Sequence, residues 1–200
     1  MADFDIAIIG TGSTGVQLIP KLAEDVSELT VYQRTPIWVM PKLDFSFGPR
    51  AQRLFAKVPA TQRFLRLSSD MFMDIMVTIA MWKFRQFRPV NTAAAAIGAL
   101  HRFLSIRDRE LRRKLTPDYD FGCKRPTFSN SYYRTFTKPH VHLQDNGIAR
   151  IESDGIVNND GSKTTIDTLV LATGFDLWEA NFPAIEVIGR EGRNLGKWRR

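Results

Sequence analysis

Apolar residues follow three different rhythms along the 200-residue chain. From Asp5 to Ile9 (Asp-Ile-Ala-Ile-Ile) they run almost unbroken and stop at Gly10. So short a run, closed by glycine, predicts a buried strand, because a buried helix needs more turns than this. From Ser13 to Asp25 the apolar positions Val16, Leu18, Ile19, Leu22 and Ala23 recur on one side of a helix. Pro20 lies inside that stretch. It has no backbone donor, which predicts a shorter or bent helix. Leu29 to Gln33 (Leu-Thr-Val-Tyr-Gln) returns to β-favouring residues. The opening therefore reads strand, glycine turn, helix, strand.

The middle, from about Pro49 to Leu115, is helical in character, with apolar stretches at Met71 to Phe84 and Thr92 to Leu104 broken by Arg88-Pro89. It is rich in Met, Phe and Arg, and a surface of that kind suits a lid or a buried contact with another domain. The last third turns to β structure. Ile148 to Glu152, Gly155 to Asn158 and Lys163 to Asp167 are short strands, separated by the turn signals Asp154-Gly155 and Asn159-Asp160-Gly161. This β-meander feeds Thr168 to Ala172, an apolar strand that stops at Thr173-Gly174. The expected architecture is α/β, a Rossmann-type domain of residues 1–48 and 116–200 carrying an α-helical insertion at 49–115 and the β-meander.

Composition narrows the classes. Apolar residues at 44% and charged residues at 24% suit a packed globular core and exclude a disordered or collagen-like chain. The single cysteine, Cys123, cannot form an internal disulfide, which fits a reducing, cytoplasmic setting. The uncharged run Ile75 to Trp82 falls far short of the roughly 20 residues of a membrane span. A net charge of +7 suits an anionic partner. Much of it sits between Arg102 and Lys114, with Leu100, Phe103, Leu104, Leu111 and Leu115 at helical spacing. There a solvated helix face is the expectation, ahead of a nucleic-acid surface.

The chemistry begins at Gly10-Thr11-Gly12-Ser13-Thr14-Gly15. This G-x-G-x-x-G follows a strand and opens a helix, the context that makes it a dinucleotide motif. Gly10 permits the tight turn, Gly12 lets the backbone approach a pyrophosphate, and Gly15 lets the helix pack on the strand. The phosphates would meet free N–H groups at the positive end of the helix, at Ser13 and Thr14. About 20 residues on, where an Asp or Glu would hold a free ribose 2′-hydroxyl, stands Tyr32-Gln33-Arg34-Thr35. Arg34 can meet a 2′-phosphate with its rigid fork and Thr35 can add a hydrogen bond, which favours NADP over NAD.

Three ordered motifs carry a family resemblance: Val-Tyr-Gln-Arg-Thr-Pro at Val31 to Pro36, Phe-Gly-Cys-Lys-Arg-Pro at Phe121 to Pro126, and Asp-Thr-Leu-Val-Leu-Ala-Thr-Gly-Phe-Asp at Asp167 to Asp176. Together they resemble the NADPH-domain half of the class B flavin monooxygenases, the Baeyer-Villiger monooxygenases above all. The resemblance implies an enzyme in which NADPH reduces FAD and one oxygen atom of O2 is inserted into a ketone or added to a soft heteroatom of a small-molecule substrate. It implies that Arg34, Thr35 and Lys124 hold the 2′-phosphate and that Arg125 is the catalytic arginine beside flavin and nicotinamide. Ala172, Thr173 and Gly174 resemble the strand end where the chain crosses between cofactor domains, and Trp198 resembles a tryptophan near the active site.

The family also carries an earlier G-x-G-x-x-G for FAD and a fingerprint F-x-G-x-x-x-H-x-x-x-W, and neither occurs here. The expectation is an internal piece of a larger enzyme, inactive without the FAD domain. The alternative is a stand-alone or decayed NADP-binding module without catalysis. His140 and His142 lie near no Cys or carboxylate cluster, so no metal site is expected. Cys123 reads as a small neighbour of Lys124, and Ser129, Ser131, Tyr132 and Tyr133 read as a polar loop.

Overall fold

The computed structural model describes residues 2–42, 44, 46–82, 88–174 and 187–194. In chain order the elements are β1 (Ala2–Ile9), α1 (Ser13–Asp25), β2 (Val26–Tyr32), β3 (Val39–Met40), α2 (Pro49–Lys57), α3 (Pro59–Trp82), α4 (Arg88–Ser105), α5 (Arg109–Lys114), β4 (Thr127–Phe128), α6 (Tyr132–Thr135), β5 (Val141–Gln144), β6 (Ile148–Glu152), β7 (Gly155–Asn158), β8 (Lys163–Thr165) and β9 (Thr168–Leu171), followed by a 3-10 turn at Arg190–Gly192.

Four strands form a parallel sheet in the order β5-β2-β1-β9. Ile6 pairs with Leu29 on one side and with Thr168 on the other, so β1 is central. Side chains alternate across a strand, and Ala7 and Ile8, both fully buried, enter different cores. Ile8 packs in a large cluster with Val16 and Ile19 of α1 and with Ile106, Leu115, Tyr132, Tyr133 and Phe136. Ala7 packs on the opposite face with Tyr32 and Ile156. The antiparallel meander β6-β7-β8 supplies that second layer, and the Tyr32 hydroxyl donates to Thr164 Oγ1 at 3.1 Å across it.

Helix α1 runs its full 13 residues through Pro20, which is itself buried. Of a shorter or a bent helix, the proline does not produce the shorter one. An interior proline costs about 3 kcal/mol, whereas burying each of Val16 and Ile19 contributes about 1.5 to 3 kcal/mol. Packing on the sheet therefore outweighs one missing hydrogen bond.

Between β2 and β5 the chain makes its helical excursion. Helix α2 packs on α3 and buries none of its residues. Helix α4 lies on β3, where a Cβ at Gly98 would stand 3.1 Å from Met40 Sδ and 3.2 Å from the Trp38 ring. Helix α5 is capped by Asp108, whose carboxylate accepts from the Leu111 amide at 2.6 Å. Among the described residues no helix is long and apolar enough to cross a membrane.

Candidate nucleotide-binding site

The strand order produces the site. After β2 the chain builds outward to β5, then returns through the meander to place β9 on the far side of β1. The carboxyl ends of β1 and β9 thus flank the reversal point of the sheet, where α/β folds hold their ligands. Gly10 ends β1 with φ +110°, a conformation side chains rarely adopt, and its N–H donates to the Tyr32 carbonyl at 3.0 Å. A Cβ at Gly10 would collide with the Ala172 carbonyl, and one at Gly15 would collide with the Gly10 carbonyl. These two glycines pack the turn against β9 and against α1.

Gly12 is different. It has φ −70° and open space where a Cβ would stand, so its smallness is unused by the protein's own packing. It is also the N-cap of α1, with no side-chain cap and no acidic residue in the first turn. Gly12, Ser13 and Thr14 are exposed. The helix therefore presents uncapped amides and its positive end beside Ala172, Thr173 and Gly174, whose strand is tied to β1 by the Ala172 N–H donating to Ile9 at 2.9 Å. A pyrophosphate fits that donor set.

The end of β2 supplies the second half. Gln33 is buried, donating its Nε2 to the Lys114 carbonyl at 2.9 Å and its backbone amide to Gln144 at 2.8 Å. Arg34 follows at once and is exposed, while Thr35 is half-buried and accepts at its carbonyl from Thr11 Oγ1 at 3.4 Å. Thr11 thus joins the glycine turn to the Arg34-Thr35 loop.

Trp38 brings in the remaining cations. Its indole N–H donates to the Tyr119 carbonyl at 3.0 Å, its ring meets Phe121 edge-on at 5.6 Å, and its carbonyl accepts from the Thr127 amide at 2.9 Å. The segment from Tyr119 to Thr127 is thereby fastened a few residues beyond Arg34. It carries Lys124, whose ammonium lies 4.7 Å from the centre of the Tyr119 ring, and Arg125. Both are exposed, and neither makes an ion pair among the described residues.

Several features escape sequence reading. Tyr132 and Tyr133 are each 1% exposed and belong to α6 within the core, not to a polar loop. Burial pushes the Tyr132 phenol far above its usual range and raises Tyr133 as well. Cys123 is exposed beside Lys124. His140 donates from Nε2 to the Ala23 carbonyl at 3.0 Å and His142 to Glu28 Oε2 at 2.7 Å, so both imidazoles have structural partners. Trp198 and the Phe175-Asp176 end of the third motif lie outside the described residues.

No family model matches the chain. It is 34% identical over 194 residues to a Baeyer-Villiger monooxygenase of Streptomyces coelicolor, an alignment covering 96% of this chain and 36% of that protein. It is 33% identical to a FAD-binding monooxygenase of Aspergillus niger, covering 95% and 31%. The crystal structure of cyclohexanone monooxygenase from Rhodococcus sp. Phi1 bound to NADP+ superposes with a TM-score of 0.76 and 28% identity, covering 98% of this chain and 43% of that one. The chain spans about a third of the length of the curated relatives it matches.

Proposed function

Because this chain is homologous along nearly its whole length to part of the Baeyer-Villiger monooxygenases, we propose that it is the NADPH-binding part of an FAD-dependent monooxygenase that inserts one oxygen atom of O2 into ketones or soft heteroatoms. The observation that carries this reading is the crevice between β1 and β9, where the uncapped amides of α1 and the unfilled space at Gly12 adjoin Ala172, Thr173 and Gly174. In this reading residues 1–48 and 116–200 form the nucleotide domain and 49–115 its helical insertion.

Gly12, Ser13 and Thr14 hold the pyrophosphate through backbone N–H groups, while Gly10 and Gly15 shape the turn that brings those groups to it. Arg34, Thr35 and Lys124 hold the 2′-phosphate, with the Arg34 fork contributing paired, charge-assisted hydrogen bonds. Arg125 keeps a positive charge at the junction of nicotinamide and flavin, where a cation stabilises developing negative charge. When bound, NADPH supplies the hydride and FAD the oxygen-activating chemistry. The rest of the enzyme provides the FAD domain and much of the substrate pocket, and the whole works in a reducing, cytoplasmic setting.

Titration of the purified chain with NADPH and NADH tests the assignment. A hydrogen bond to a charged group contributes about 1.5 to 3 kcal/mol, so Arg34→Ala lowers NADPH affinity by about 10- to 100-fold and leaves NADH affinity unchanged. Equal loss for both nucleotides would remove the 2′-phosphate from Arg34. A colourless chain that binds NADPH fits the half-enzyme reading. A stand-alone NADP-binding module stays the second reading, and turnover on joining this chain to its flavin-binding remainder would overturn it.

A further inference from the structure

The arginine-rich stretch read from sequence as a solvated helix face is exposed at Arg107, Arg109 and Arg113, while Arg102 is buried. Helices α4 and α5 border a wide, open groove of about 780 Å³ lined by Leu100, Phe103, Arg102, Arg109, Arg112 and Arg113. Arg102 is only 6% exposed, and its Nε and Nη1 have no hydrogen-bond partner. Its guanidinium lies 5.6 Å from the centre of the Trp38 ring. Arg112 stacks on the Phe103 ring at 4.7 Å and donates to the Ile106 carbonyl at 3.1 Å.

The nearby acids are committed elsewhere: Asp108 caps α5 and Glu110 faces Lys114 at 3.9 Å. None of the four groove arginines has an ion pair among the described residues. Arg102 keeps its guanidinium inside, against Trp38, whereas Arg109 and Arg113 are exposed and Arg112 is half-buried, so a carboxylate entering the groove meets these three and forms charge-assisted hydrogen bonds with them. Beside the arginines, Ile97, Leu100 and Leu104 form an exposed apolar row on α4 at i, i+3 and i+7, with Leu104 72% exposed. The row is about 10 Å long at 1.5 Å per residue, more than a small anion would cover, and its apolar side chains offer nothing to a nucleic-acid backbone.

From this combination we propose that the α4–α5 groove is a docking surface for an acidic amphipathic helix of a polypeptide partner, with apolar anchors on Ile97, Leu100 and Leu104 and carboxylates entering the arginine end. The matching spacing is that of helix-in-groove recognition. None of the residues lining the groove is one assigned to the nucleotide, so the two sites are tested with different substitutions.

The test is fluorescence anisotropy of the full chain with a labelled helix of about 15 residues, long enough to hold its shape, bearing leucines at i, i+3 and i+7 and glutamates in its final turn. A second peptide carries glutamines in place of the glutamates. The acidic peptide binds about tenfold tighter, the equivalent of one charge-assisted hydrogen bond. The exposed-residue variant Arg109→Gln/Arg113→Gln reduces that preference to about threefold or less while NADPH affinity is unchanged. Leu100→Ser weakens both peptides alike. Equal affinity for the two peptides, no saturation up to about 1 mM, or an undiminished preference in the double arginine variant would each overturn the proposal. So would displacement of the peptide by a duplex of about 16 base pairs with steep salt dependence, or erasure of the preference by about 10 mM inorganic phosphate at constant ionic strength.

Discussion

At the scale of single residues, the glycines of one turn answer to different constraints. Gly10 is held by backbone conformation and by the Ala172 carbonyl, whereas Gly12 has neither a positive φ nor a neighbour. Gly10→Ala is expected to destabilise the chain by about 3 kcal/mol or more, through strain and collision together. Gly12→Ala is expected to melt within about 0.5 kcal/mol of the parent and to lose NADPH affinity by tenfold or more, because the added methyl stands where the pyrophosphate approaches. Thermal melts with and without nucleotide separate the two effects. Tyr132 makes a different prediction. Its hydroxyl is buried and meets no partner at hydrogen-bond geometry, although Thr11 pulls its raised pKa partly back. Since its folded pKa lies above the unfolded value near 10, the folded chain binds the proton more tightly. Its contribution to stability is complete below pH 10 and declines as pH rises above it. Phenolate absorbance of this residue should appear only together with alkaline unfolding. Tyr132→Phe should shift that unfolding to higher pH, with stability at pH 7 unchanged or raised by about 1 kcal/mol.

At the scale of elements, what could be read in the sequence is what local pattern alone determines. Helix α1 follows from its one-sided apolar spacing, and β6 and β7 follow from short runs set between turn signals, with the observed bounds of both strands equal to those expected. Arg34 stands exposed just beyond β2, and the tight turn at Gly10 was likewise legible, because it depends on local backbone geometry. The pairs that depend on remote partners were not. β3 and β4 are two residues each and exist because Trp38 joins them, and β5 owes its place to pairing with β2. Tyr132 and Tyr133 carry hydroxyls that suggest a loop surface, yet their rings fill the space between α1, α4 and the sheet. The meander has its own ion cluster. Lys163 donates to Glu152 at 2.9 Å and to Asp154 at 2.7 Å, and its hydrogen bonds hold both carboxyls below their usual range. For groups with lowered folded pKa, the contribution is present above the ordinary carboxylate range and is lost as pH falls through the folded values. Lys163→Met should therefore melt below the parent at pH 7 and coincide with it near pH 2, with a difference that shrinks in high salt.

At the scale of the whole molecule, exposed apolar surface is the dominant fact. Phe64, Leu67, Met71, Phe72 and Met73 on α3 are all more than half exposed. Such a face associates with whatever apolar surface it meets. Sedimentation velocity on the isolated chain should show a mass that rises with concentration, and amide exchange should find α2 and α3 the least protected helices. The parallel pairing of β1 with β9 carries a consequence for the order of events during synthesis. Ile6 meets Thr168 and Gly10 meets Ala172 only after some 160 residues of intervening chain have been made. At about 5 to 20 residues per second a ribosome needs roughly 8 to 30 seconds for that interval. Through all of it the glycine turn exists as sequence without its opposite wall. The crevice between β1 and β9 therefore exists only once Ala172 has been made, and a nascent chain halted before that residue leaves Gly10 with no wall opposite it.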